Sequence, residues 1–231
     1  MPDPIDSNSK IKLMSTRADA KAKQCRRSFS EYKQLPLDFY RQDTFALVPK
    51  ILGKVLVRRI GKSILAGRIV EVEAYVGSDP ASHAANGMTQ RNKVMFEAGG
   101  VAYVYFTYGM HFCFNIVTER EGFPAALLVR ALEPLEGIGE MKRRRGTDVL
   151  RNLTNGPAKL CQAMGIDRSC NGLKLDGRDL FILDDGLEIN MSDVLSSTRI
   201  GISVATDRRW RFFLKNNNFV SRVPATRGAH R

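Results

Sequence analysis

The chain has 231 residues, 43% of them apolar and 26% charged, which suits one large globular domain or two small ones and excludes a wholly disordered tail or a fibrous repeat. Lys and Arg number 36 against 24 Asp and Glu, a formal charge of +12, so a compact body of this composition draws in polyanions: nucleic acid, an anionic membrane or an acidic protein. Cys25, Cys113, Cys161 and Cys170 form no CxxC pair and only three His accompany them; no metal or cofactor is expected, and free thiols in a reducing, intracellular compartment are.

In chain order, residues 1–40 read as a flexible basic arm, 41–223 as the folded domain and 224–231 as a flexible tail. The arm is polar without a sustained period, and its cluster Lys21, Lys23, Arg26 and Arg27 reads as a solvated charge run. From Phe45 to Leu52 the pattern is helical; 54–60 and 63–75 are strands joined by the turn signal Gly61-Lys62. Residues 102–117 form two strands bent about Tyr108-Gly109-Met110, and a three-residue loop there pairs Thr107 with His111, Tyr105 with Cys113 and Tyr103 with Asn115. The aromatic run 101–117 is broken by Thr107, Gly109, His111 and Asn115, which is wrong for a membrane span. Strands follow at 124–131, 180–183, 199–203 and 210–214, with helices at 135–145 and at 158–164 behind Asn155-Gly156-Pro157. Strands outnumber helices without regular βαβ alternation, so the expected fold is α+β: one domain with a curved antiparallel sheet flanked by helices and a protruding hairpin.

The segment 68–75, RIVEVEAY, is the most informative. Period-two alternation puts Val70, Val72 and Ala74 on one face and Ile69, Glu71, Glu73 and Tyr75 on the other. Carboxylates on a strand inside a β-rich core are costly without partners and call for a reason. Tyr75, His83, Tyr103, Tyr105 and Tyr108 concentrate flat rings near Asn115, whose amide offers both a donor and an acceptor. Stacking faces plus an amide are what hold a nucleobase. Tyr108, at a hairpin tip, is placed to act as a wedge in a duplex from which a nucleotide has been turned out.

The strings RIVEVEAYVG, DPASHA, QRNKVMF, YVYFTYGMHFCFNIV, LLVRALEPLEG, NGPAKLCQAMGI and RIGIS…WRFFL resemble, in collinear order from about Leu47 to Arg222, the alkyladenine (3-methyladenine or methylpurine) DNA glycosylase family. The resemblance implies that Glu73 is the general base activating water and that Arg130 helps hold that water and the flanking phosphate. It implies that Tyr75, His83 and Tyr105 sandwich the flipped base, that Asn115 disfavours guanine by crowding its exocyclic amino group, and that Leu128 lies close to the base. Tyr108 matches the intercalating residue, and Arg91 and Met110 are implied to face DNA. Between Tyr75 and His83 the chain is one residue shorter than some members.

The resemblance further implies a monofunctional base-excision repair enzyme that needs no cofactor. Its partner is double-stranded DNA carrying alkylated or deaminated purines, of the 3-methyladenine, hypoxanthine, ethenoadenine and 7-methylguanine class. It would act as a monomer, in bacterial cytoplasm or nucleoid or in a nucleus according to source, with no membrane association. No Lys stands out as a Schiff-base nucleophile, and Glu71 reads as a structural neighbour of Glu73. Two other readings are weighed: a non-enzymatic nucleic-acid-binding module that only stacks bases, and a sugar glycosidase, which gains nothing from a cationic surface. Residues 1–34 carry +4 and 199–231 carry +7, so the motif-bearing middle is nearly neutral and the termini supply the attraction to phosphate.

Overall fold

The structure is a computed structural model that describes residues 31–107 and 109–221. The expected arm up to residue 30, the expected tail 224–231 and, within the expected domain, residues 108, 222 and 223 lie outside the described residues, Tyr108 among them. From Lys33 onward the described residues form one compact unit, which carries the sheet, the helices and the cavity.

Aliphatic and β-branched residues at alternating positions build the centre of that unit. β1 (Lys33–Gln34) and a 3-10 turn over Leu37–Tyr40 lead into α1 (Thr44–Ile51), whose N-terminus is capped by the Asp43 carboxylate accepting from the Ala46 N–H. β2 (Val55–Ile60) and β3 (Ser63–Val76) form the expected hairpin, and β4 (Ala102–Thr107) and β5 (His111–Val117) form the next. The second hairpin has the expected register, with Thr107 opposite His111, Tyr105 opposite Cys113 and Tyr103 opposite Asn115, and Gly109 turns it with φ of +67°. β6 (Ala125–Glu136) runs five residues beyond the expected strand. α2 (Ile138–Arg145) therefore starts later than the sequence pattern suggests, after Gly137 at φ +73°. α3 (Pro157–Met164) begins on proline as expected, and β7 (Leu180–Asp184), β8 (Val194–Ser197) and β9 (Arg211–Leu214) complete the described elements.

All pairings are antiparallel, in the order β1-β7-β2-β3-β6-β5-β4, and the sheet does not close. β3 is the branch point. Along one edge it pairs with β6; along the other it pairs with β2 over residues 63–68 and then with β9 over 71–73, while β8 pairs β9 from outside. Alternation then separates two faces. Ala102, Ile116 and Leu127 point to the main core with Leu47 and Ile51 of α1, Met141 of α2 and Leu160 and Met164 of α3. Their neighbours Tyr103, Val117 and Ala126 point the other way, where Ala84, Val94 and Met95 cover them. The helices thus occupy one face, and the opposite face is left to the site. Among the described residues no helix is long and apolar enough to cross a membrane.

Three expectations need correction. Residues 33–40, read as part of the arm, belong to the folded unit: β1 pairs β7 and Tyr40 is fully buried. A two-residue strand whose partner lies about 150 positions away leaves no local period to read. Residues 199–203 are not a strand. The Ile200 N–H is committed to a carboxylate and Gly201 sits at φ +80°, so the segment cannot run in a ladder, and the strand before it is β8. Ile69 does not share a face with Glu71: β3 and β6 shift register between Ile69 and Glu71 and again between Glu71 and Val72, and Ile69 packs with Val72 and Ala74 in the main core.

Candidate active site

The register shift that displaces Ile69 also makes the site. Val70 on β3 and Arg130 on β6 are skipped in the pairing, because Glu71 faces Ala131 and Val72 faces Val129. A bulge re-aims the side chain that it carries. Arg130 Nε donates to Glu71 Oε1 at 3.0 Å and its Nη1 to Glu73 Oε2 at 3.1 Å, so one guanidinium bridges both carboxylates. Burial by itself would lower the pKa of Arg130, but the charges of Glu73 and Glu71 outweigh it and the net shift is upward; it stays a cation.

The two glutamates are both fully buried and differently held. Glu71 Oε1 accepts from Arg130, from Arg211 Nε at 2.7 Å and from the Ser221 hydroxyl at 2.6 Å, and Oε2 accepts the Ser221 N–H. Four donors of the scaffold thus converge on that carboxylate, three of them on Oε1. Glu73 Oε2 accepts from Arg130 and from the Tyr75 hydroxyl at 2.9 Å, and Oε1 accepts the Ile200 N–H at 2.8 Å. A carboxylate offers about four acceptor sites, so among the described residues Glu73 keeps one, on Oε1. Burial first, and then the Glu73 charge, raise the pKa of the Tyr75 hydroxyl well above its usual range, which keeps it a donor.

In front of this group lies a cavity of about 560 Å³, a size typical of small-molecule sites. It brings together Tyr75, His83, Tyr105, Asn115, Leu128 and Arg130 of the expected set, with Tyr103, Cys113, Pro157 and the segment 200–204. Strand register explains most of this. Asn115 faces Tyr103 on β4 and Leu128 on β6, and Leu128 in turn faces Glu73 on β3, so these side chains line one row across the sheet. Glu73 does not line the cavity; Tyr75, Arg130 and Ile200, which hold it, do.

His83 arrives on the turn after β3. Its ring meets Tyr105 edge-on at 4.3 Å between centroids, and its Nδ1 shares a hydrogen bond of 2.9 Å with the Tyr103 hydroxyl. Asn92 fixes the turn by donating to the His83 carbonyl at 2.7 Å. The Asn115 amide donates to the Tyr103 carbonyl at 3.0 Å, which sets its orientation. Burial pushes the Tyr103 phenol up to about 12 and raises the Tyr105 phenol as well, with the hydrogen-bonded Cys113 adding to the latter. Arg91 lies outside the cavity, its guanidinium 5.9 Å from the Tyr105 ring centre and donating to the Phe106 carbonyl. Met110 is exposed beside the hairpin turn.

Burial, and next the Arg91 charge, lower the pKa of His83 below 6.5. Its folded state therefore binds protons less readily than the unfolded chain, and stability rises with pH across the interval below about 6.5 and is fully present above it. Denaturant unfolding between pH 7 and pH 5 is expected to lose stability more steeply in the parent than in a His83→Asn variant. Parallel pH dependences would contradict that environment for the ring.

Sequence reading does not single out Asp79, Arg199, Arg211 or the Ile200 N–H. A signal was present for one of them: Arg211 stands inside the apolar string WRFFL, as Arg130 does in LLVRALEP. A charge in such a string points to a buried partner.

A row of rings and an amide in front of a pinned carboxylate has the make-up of a nucleic-acid enzyme that handles single bases. A profile of the family described as Methylpurine-DNA glycosylase (MPG) matches residues 38–218. A protein of Carboxydothermus hydrogenoformans is 47% identical over 188 residues, covering 81% of this chain and 98% of its own. Proteins of Francisella tularensis subsp. tularensis and Methanoculleus marisnigri are each 46% identical, over 185 and 190 residues, covering 79% and 81% of this chain and 95% and 98% of their own. All three carry the name "Putative 3-methyladenine DNA glycosylase". The chain belongs to the methylpurine-DNA glycosylase family, and it is a DNA glycosylase, a hydrolase of N-glycosyl bonds in DNA repair.

Proposed function

We propose that the enzyme excises alkylated and deaminated purines of the 3-methyladenine, hypoxanthine, ethenoadenine and 7-methylguanine class from duplex DNA, leaving an abasic site. The observation that carries this reading is the Glu73 carboxylate, held by three donors directly behind a ring-lined cavity with one acceptor site unused among the described residues. A damaged base turned out of the helix would stack between Tyr75 and the His83–Tyr105 pair, and the oriented Asn115 amide would crowd the exocyclic amino group of guanine. Breaking the N-glycosidic bond builds positive charge on the sugar; an ionised carboxylate nearby stabilises it while taking a proton from the attacking water. Water would meet Glu73 at the open site of Oε1, where the wall is formed by Ile200, and Arg130 would hold the carboxylate and the flanking phosphate.

The remaining assignments concern how DNA is held. Tyr108, carried between β4 and β5, would fill the gap left in the duplex, with Met110 and Arg91 on the DNA side of the same hairpin. The charge of 1–34 and of the exposed Arg209 and Lys215 would follow the phosphates, Arg199 and Arg211 being spent on buried carboxylates, and a monomer acting on DNA inside the cell suits an enzyme that scans a duplex. Release of free methylated purines from dimethyl-sulfate-treated duplex, with strands left intact until alkali is added, is the expected result. Binding that falls steeply with salt but liberates no base would refute the reading, and strand cleavage without alkali would refute its monofunctional part.

A further inference from the structure

One buried charge pair is left unexplained by this account. Asp79 and Arg199 both have fully buried side chains, and they meet through the two terminal guanidinium nitrogens, Nη1 to Oδ2 and Nη2 to Oδ1. Removing such a pair from water is costly, and it adds little stability over apolar residues of the same volume. Arg199 spends its remaining contacts on the site. Its Nη1 donates to the carbonyl of Ala74, the residue between Glu73 and Tyr75, at 3.0 Å. Its guanidinium lies 4.6 Å from the centre of the Tyr75 ring and 5.1 Å from that of Trp210. The next residue, Ile200, supplies the N–H on Glu73 Oε1. Arg208 closes the group from outside, 3.3 Å from Asp79 Oδ1 and 4.5 Å from the Trp210 ring.

We propose that Arg199, anchored by Asp79, is a positioning residue for base excision: it fixes the Tyr75 ring and the Ile200 N–H, and through them the stacking face for the base and the orientation of the Glu73 carboxylate. The inference rests on the pocket reading above. An arginine is needed because one planar group must pair bidentately with a carboxylate, reach a carbonyl and lie on a ring at the same time; a lysine ammonium is a point charge and cannot do all three. Arg199 itself does not line the cavity, so its loss acts only through the groups that it holds.

The test is single-turnover excision of hypoxanthine from a defined duplex by the full chain carrying Arg199→Met, Arg199→Lys or Asp79→Asn, each alone and with Tyr75→Leu, with Glu73→Gln as control. Misplacement by about 1 Å at a reacting centre lowers rates on the order of 10²-fold, and a loss of that size is expected for both Arg199 variants, with affinity for undamaged duplex unchanged. Because Arg199 works in part through Tyr75, part of its loss is already present in the Tyr75→Leu background, and the two losses should combine to less than their product. Arg199→Lys keeps a cation opposite Asp79, so it answers the question if the Met variant does not fold. Excision at the parent rate by Arg199→Lys, or losses that multiply with Tyr75→Leu, would overturn the proposal. If Glu73→Gln still excises, the pocket reading itself fails; if it is inactive while Arg199→Lys is fully active, only the role of Arg199 fails.

Discussion

Replacing Glu73 by Gln is expected to lower the single-turnover rate of base excision by about 10²–10⁴-fold, the range set by loss of a positioned general base, while binding to lesion-bearing duplex persists. The amide keeps the size of the carboxylate but cannot take the proton of water, and it carries no charge to steady the developing sugar cation. It also turns one end of the side chain from acceptor to donor, in a place where Arg130, Tyr75 and Ile200 all present donors. Some loss of stability accompanies the substitution for that reason, so the rate is read per folded molecule and at saturating enzyme. Binding is expected to rest on the stacking faces of the rings and on the basic surface, which remain in place when the amide replaces the carboxylate. Excision within about tenfold of the parent, short of the general-base range, would refute the assignment.

Replacing Glu71 by Ala is expected to destabilise the fold by about 3–5 kcal/mol, the cost of leaving a buried cation without its partner. Arg130 and Arg211 both point Nε at this carboxylate, and the Ser221 hydroxyl and N–H converge on it as well. Neither arginine is exposed by more than a few per cent, so water cannot replace the missing charge. The lost contacts bind β3 to β9 and to Ser221, and the unfolding transition in urea is the place to read the effect. A change smaller than about 1 kcal/mol, the value of a typical exposed pair, would show that the network is not what ties these elements together.

Much of this arrangement was legible in local pattern, because the structure obeys local rules there. The 102–117 hairpin register follows from the turn length, and it fixes Tyr103, Tyr105 and Asn115 on one face. The Glu73-Ala-Tyr75 string sits on a strand as its alternation requires, and Arg130 announced itself as a charge in an apolar run. What the pattern missed depends on non-local contacts. The register shift near Val70 and Arg130 takes Ile69 off the glutamate face and swings Arg130 between the two carboxylates, and nothing in a period-two string signals the skipped residues. The segment 199–203 has the composition of a strand, yet its backbone is claimed by Glu73 and its side chain at Arg199 by Asp79. Residues 33–40 look like arm because their partners, Ile182 to Asp184, come late in the chain.

The two carboxylates on β3 are expected to divide the labour, Glu73 performing the chemistry and Glu71 holding the arginines in place. Single-turnover excision of hypoxanthine by Glu73→Gln and Glu71→Gln, compared at a temperature where both are folded, tests this division most directly. The Glu71 variant is expected to stay within about tenfold of the parent while the Glu73 variant falls by about 10²–10⁴-fold. Equal losses, or the larger loss at Glu71, would contradict it.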